Sequence, residues 1–104
     1  MMGRVYVNVM EVDDEAGSRR VVAVCDEELL GKVFKEGRIT LVVNKEFFKG
    51  SLVDLDEAIE YLRYAYTAML VGERIIGEAL RLRLIHPDAV IRVSGVPFAQ
   101  IVRI

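Results

Sequence analysis
The 104-residue sequence contains one cysteine, one histidine, two prolines and no tryptophan. A lone Cys25 excludes an intramolecular disulfide, and Cys25 with His86 cannot fill the three or four ligand positions of a protein-only zinc site. No metal site is expected. Long apolar runs are also missing: uncharged stretches such as Tyr64 to Gly72 and Val93 to Val102 are too short to cross a bilayer. The opening residues MMGRVYVNV lack the basic, apolar, small-residue order of a secretory signal, so a cytoplasmic location without membrane attachment is expected. A phosphate-binding loop is absent, because the nearest match, Gly72 to Gly77, is followed by Glu78 where a lysine is required. None of Ser18, Ser51 or Ser94 sits between the glycines of a hydrolase elbow. No cofactor is expected. Amides are scarce, limited to Asn8, Asn44 and Gln100, while ten of the fourteen basic residues are arginine. That balance suits a heat-stable protein, although a genomic base bias would give the same arginine excess.

What is present is the composition of a single compact domain over residues 1–104, 53% hydrophobic and 29% charged. Fourteen Lys and Arg against sixteen Asp and Glu leave a net charge of -2, so no overall basic field draws the chain to nucleic acid. Val5, Val7 and Val9 alternate with polar neighbours, and Arg20 to Cys25 forms a second strand, so an antiparallel hairpin with an acidic tip is expected. DEELLGKVFKEG reads as a short helix from Asp26 to Gly37, with Asp26 as its cap. Ile39, Leu41 and Val43 then alternate as a third strand, which ends in NKEFFKG. Leu55, Ile59, Leu62, Tyr66 and Met69 recur at helical spacing behind an Asp54–Glu57 capping box, which predicts one long helix. A second long helix is expected over Glu73 to Leu84, followed by strands at Val90 to Val93 and Phe98 to Ile104. The expected class is α+β: a mostly antiparallel sheet packed on one face by one short and two longer helices.

Chemistry-bearing residues each carry a structural reading beside a functional one. Cys25 at a strand end could be an activated nucleophile with His86 as base, but a buried small hydrophobe is the simpler reading. His86 before Pro87 suits a turn. The carboxylates from Glu11 to Glu15 and from Asp54 to Glu60 fall in segments expected to be solvated, where capping explains them. Lys45, Phe48 and Lys49 interleave charge with an aromatic, as a base-stacking surface would; core plus strand edge is the alternative. From Arg81 onward, Arg81, Arg83, Arg92 and Arg103 face only Asp88, a local +3 hidden in the global charge. Those arginines could hold a phosphate backbone, or pair with Glu73 and Glu78 on a solvated helix.

The strings VCDEELLGKVFKEG at 24–37, LVGE at 70–73 and GVPFAQIV at 95–102 resemble a family of small, mostly archaeal proteins known as domain of unknown function family 424. The resemblance covers nearly the whole chain and implies a small cytosolic protein with no established activity. The family pattern commonly has an imidazole where this chain has Phe98 and an asparagine where it has Met69, so a mechanism needing those groups would be lost here. The shared strings put polar residues at element boundaries: Asp26, Glu27 and Lys32, then Glu73 and Arg74, then Gln100. These six form a candidate ligand site, with caps and turns as the plain alternative. Three functions follow as expectations. The first is a binding or adaptor module, RNA- or translation-associated through Lys45, Phe48, Lys49, Arg81, Arg83 and Arg92. The second is a small enzyme using Asp26, Glu73 and Arg74 on an anionic metabolite. The third is a structural subunit that forms homo-oligomers.

Overall fold
In the computed structural model, which describes residues 3–103, alternation of apolar and polar side chains builds the expected hairpin. β1 (Arg4–Asp14) and β2 (Gly17–Asp26) pair antiparallel from Val5 opposite Asp26 to Asp14 opposite Gly17. Only β5 (Ser51–Asp54) lies outside β1, and it pairs with Arg4 to Val7 alone. On the other side β6 (Thr67–Val71) runs parallel to β2, and β8 (Val96–Val102) and β7 (Ile91–Val93) complete a six-stranded sheet in the order β5-β1-β2-β6-β8-β7. β2–β6 is its one parallel pair. The class is α+β, as expected.

Two helices, α2 (Leu55–Arg63) and α3 (Glu73–Arg81), bury their apolar stripes on one face of this sheet. Leu62, Ile75 and Ile76 meet Val5, Val22, Val24 and Leu70 there, all almost wholly buried. Each such side chain contributes about 1.5–3 kcal/mol on leaving water. The opposite face is covered as well, by the hairpin of β3 (Val33–Glu36) and β4 (Ile39–Val42) and by the short α1 (Lys45–Phe48). Phe48, Leu41 and Val43 pack there on Ala23, Cys25 and Val71.

Several local expectations are corrected. The helix expected over Asp26 to Gly37 is a 3-10 turn, Glu27–Leu29, followed by β3. Gly31 takes φ 82°, and bonds from Gly31 N to Val43 O and from Val43 N to Lys32 O draw the chain into a hairpin. The helix expected through Met69 stops at Arg63, because Tyr66 N donates to Arg20 O and commits the following residues to the slot between β2 and β8. Asp54 makes no side-chain cap, so the capping box is not formed. α3 ends at Arg81 rather than Leu84, and Arg83 at φ 59° turns the chain. NKEFFKG is helical instead of a strand end: the Asn44 side chain accepts from Glu46 N and Phe47 N at 2.7 and 3.2 Å and starts α1. β5 was not expected. Ile104, the last residue of the predicted final strand, lies outside the described residues.

Candidate functional site
The residues expected to converge at the strand ends do so only in part. Asp26 closes β2, and its carboxylate reaches the first turn of α3, accepting from Arg74 N at 2.8 Å and from Ile75 N at 3.1 Å. It therefore caps α3 across the fold, not the turn that follows it. Gly72, at φ 121°, allows this approach: a Cβ there would collide with the Asp26 carboxyl group. Burial pushes the Asp26 carboxyl above the usual aspartate range, against the opposing pull of the two backbone donors and the Arg74 charge. Arg74 Nη1 donates to both Glu28 oxygens at 2.5 and 2.8 Å, which holds Glu28 below the ordinary glutamate range. Glu73 receives Arg92 at 3.2 Å.

Asp26, Glu73 and Arg74 are thus neighbours; Glu28 joins them unforeseen, and Arg92 joins through the pairing with Glu73 that was the alternative to phosphate binding. Gln100 does not. It follows Phe98 on the hairpin-covered face, whereas Asp26 sits on the helix-covered face. Glu27 and Lys32 are exposed and make no hydrogen bond to these residues, though the charge of Glu27 is felt at Arg74 and that of Lys32 at Glu28. A helix N-terminus beyond a parallel strand pair is a common place for an anion. Here the protein's own carboxylate occupies it, and both Asp26 oxygens already accept hydrogen bonds.

Cys25 is fully buried, and its thiol is pushed up to about 12, first by burial and then by the charges of Asp26 and Glu28. His86 lies on an exposed turn and accepts from Asp88 N at 3.0 Å through Nδ1. A buried, protonated thiol and a surface imidazole form no nucleophile–base pair. The folded protein is expected to leave a thiol reagent unconsumed at pH 8 and to react stoichiometrically once denatured; a spectrophotometric thiol titration checks this. No group of three or more His, Cys, Asp or Glu among the described residues is placed to hold a metal ion.

The residues expected to contact RNA are scattered. Phe48 is 2% exposed and belongs to the core, so it is not a stacking platform; its burial corrects that expectation. The Lys45 side chain lies over Gly31, and Lys49 is exposed at the end of α1. Arg81 is bound to Glu78 at 2.7 Å and Arg92 to Glu73, which leaves Arg83 exposed on its turn. Two glutamates of α3 thus reduce the local +3 to +1.

A different concavity is not evident from the sequence. β5 pairs with only the first four residues of β1, so among the described residues the outer edge of β1 is without a strand partner beyond Val7. Gly50 packs directly on the Val7 carbonyl, which shows that Val7, and by alternation Val9, Glu11 and Asp13, point their backbone groups outward. Beside this edge is a cavity of about 440 Å³ lined by Val7, Asn8, Val9, Arg20, Gly50, Ser51 and Tyr61. A second, of about 370 Å³, continues it between Arg20 and Glu57, Glu60, Tyr61 and Tyr64 of the α2 region. Val9 and Tyr64 are 39% and 73% exposed, an apolar and aromatic surface that no element among the described residues covers. Arg20 is held at 3.2 Å by Glu11, whose carboxyl is kept low by Ser18 and Arg20 hydrogen bonds. Asn8 Nδ2 donates to Phe47 O and fixes the end of the groove against α1. One signal was legible: Tyr61 and Tyr64 stand three residues apart and off the buried stripe of α2, which marks them as aromatics facing water.

Comparison with known proteins agrees with the fold. Residues 14–104 match a protein family described as "Protein of unknown function (DUF424)". A crystal structure of an uncharacterized conserved protein from Methanopyrus kandleri superposes with a TM-score of 0.77 at 27% identity, covering 95% of this chain and 90% of that one. No curated protein matches.

Proposed function
Because this chain belongs to DUF424, a family of proteins of unknown function, its role must be read from its own surface, and we propose that it is a binding module for an extended protein segment. The observation that carries this reading is the unpartnered outer edge of β1 beside the Tyr61–Tyr64 groove. Outward amides and carbonyls of Val9, Glu11 and Asp13 supply main-chain bonds to an added strand. The groove supplies pockets for alternate side chains. Tyrosines give a large contact area at small entropic cost, as interface anchors do.

The RNA reading loses support at the residues proposed for it, since Arg81 and Arg92 are already bound to glutamates and Phe48 is core. The enzyme reading meets an Asp26 whose oxygens are both engaged by α3. Among the described residues no helix is long and apolar enough to cross a membrane. Titration with a single-stranded RNA oligonucleotide at low salt is expected to show no association. Binding that weakens steeply as salt rises would favour phosphate contacts and replace the present reading. In parallel, Tyr61→Ala with Tyr64→Ala is expected to weaken peptide binding at least about tenfold while leaving the melting temperature within a few degrees, because neither ring is core.

A further inference from the structure
Resting on that docking reading, we infer that the segment received at the β1 edge is cationic, an extended stretch of a partner protein with lysine or arginine at every second position. Charge around the groove favours such a segment. The ribbon from Glu11 to Arg20 carries four carboxylates against two arginines, and Asp56 to Arg63 on α2 carries three against one, a net -2 on each. The chain as a whole is also -2, so the remainder is net positive and the acidity is concentrated at this edge.

The pairing of those charges favours it too. Arg19, Arg20 and Arg63 are committed to Asp14, Glu11 and Glu60, whereas Glu57 at the groove has no ion pair among the described residues. Tyr61 and Tyr64 add two exposed ring faces that attract a cation. The fold already uses this contact once, with the Arg19 guanidinium 4.5 Å from the Tyr66 ring centroid. Strand alternation sets the pattern. A segment added beside Val9–Asp13 turns every second side chain toward Glu57 and the tyrosines, and the others toward Met10 and Val12 on the opposite face. Basic residues suit the first set and apolar ones the second. A second copy of this chain does not suit the edge, because it would bring another Glu11–Glu15 acidic run against the first.

The test uses the full chain and three end-blocked hexapeptides alternating valine with lysine, serine or glutamate, each titrated with backbone amide shifts as readout. The lysine peptide is expected to shift the Val9–Asp13 amides, to bind at least about tenfold more tightly than the glutamate peptide, and to weaken as salt is raised. Glu57→Gln with Glu60→Gln is expected to lower its affinity about 3- to 10-fold without altering that of the serine peptide. Equal affinity of all three peptides at this edge would overturn the cationic assignment and leave the docking reading standing. If no peptide moves these amides, both fall.

Discussion
Replacing Gly72 with alanine is expected to cost about 2–6 kcal/mol of stability, read by chemical denaturation. Two causes add. Gly72 adopts φ 121° and ψ 156°, a region open to glycine alone, where any side chain costs about 1–3 kcal/mol. The new Cβ would also collide with the Asp26 carboxyl group, driving it from the amides of Arg74 and Ile75. Stranding those buried donors and the carboxylate costs about 1–3 kcal/mol more. Gly77 is the internal control: it is exposed on α3 with open space where a methyl group would stand, so Gly77→Ala is expected to stabilise by about 0.5–1 kcal/mol. Equal effects at the two glycines would show that the Asp26 latch does not hold α3.

Phe48→Ala is expected to cost about 3–5 kcal/mol, the usual loss for a buried aromatic. Phe48 is 2% exposed, edge-on to Phe47 with centroids 5.2 Å apart, and fills the face of the sheet that α1 covers. Substituting the neighbouring exposed Lys45 and Lys49 is expected to change stability by less than about 0.5 kcal/mol. This contrast separates a core residue from a surface platform. A stacking Phe48 would lose ligand affinity and keep its melting temperature, the reverse of the expectation.

The elements most legible in the sequence were those whose pattern and environment agree. Val5, Val7 and Val9 alternate and lie in a strand, and Ile75, Ile76 and Ala79 mark the buried side of α3. Failure came where a local pattern competed with a distant partner. Tyr66 and Met69 continue the helical spacing of Leu55, Ile59 and Leu62, yet a vacancy between β2 and β8 takes Thr67 to Val71 as a strand. Asp26 followed by two glutamates looks like the cap of its own helix. Its true partner, the first turn of α3, is 48 residues away in the sequence, and no local rule finds it. The groove was hidden for a related reason. Its tyrosines could be seen off the α2 stripe, but the open edge exists only because β5 is four residues long beside an eleven-residue β1.

The basic residues teach the same lesson about charge. A run of arginines after Gly77 is positive in sequence, but Arg81 and Arg92 find glutamates in space. Glu11 of the acidic ribbon and Glu57 and Glu60 of α2, separate in sequence, lie on either side of one residue, Arg20, beside the β1 edge. A partner meets the charge of that neighbourhood, not the sign of either segment alone.

The most direct measurement is amide hydrogen exchange at single-residue resolution, with and without the lysine–valine peptide. Strand addition predicts exchange slowed at least about tenfold at Val9, Glu11 and Asp13, with Val5 and Val7, already paired to β5, unchanged. Saturating binding that leaves those three amides exchanging at their free rates would contradict strand addition at this edge.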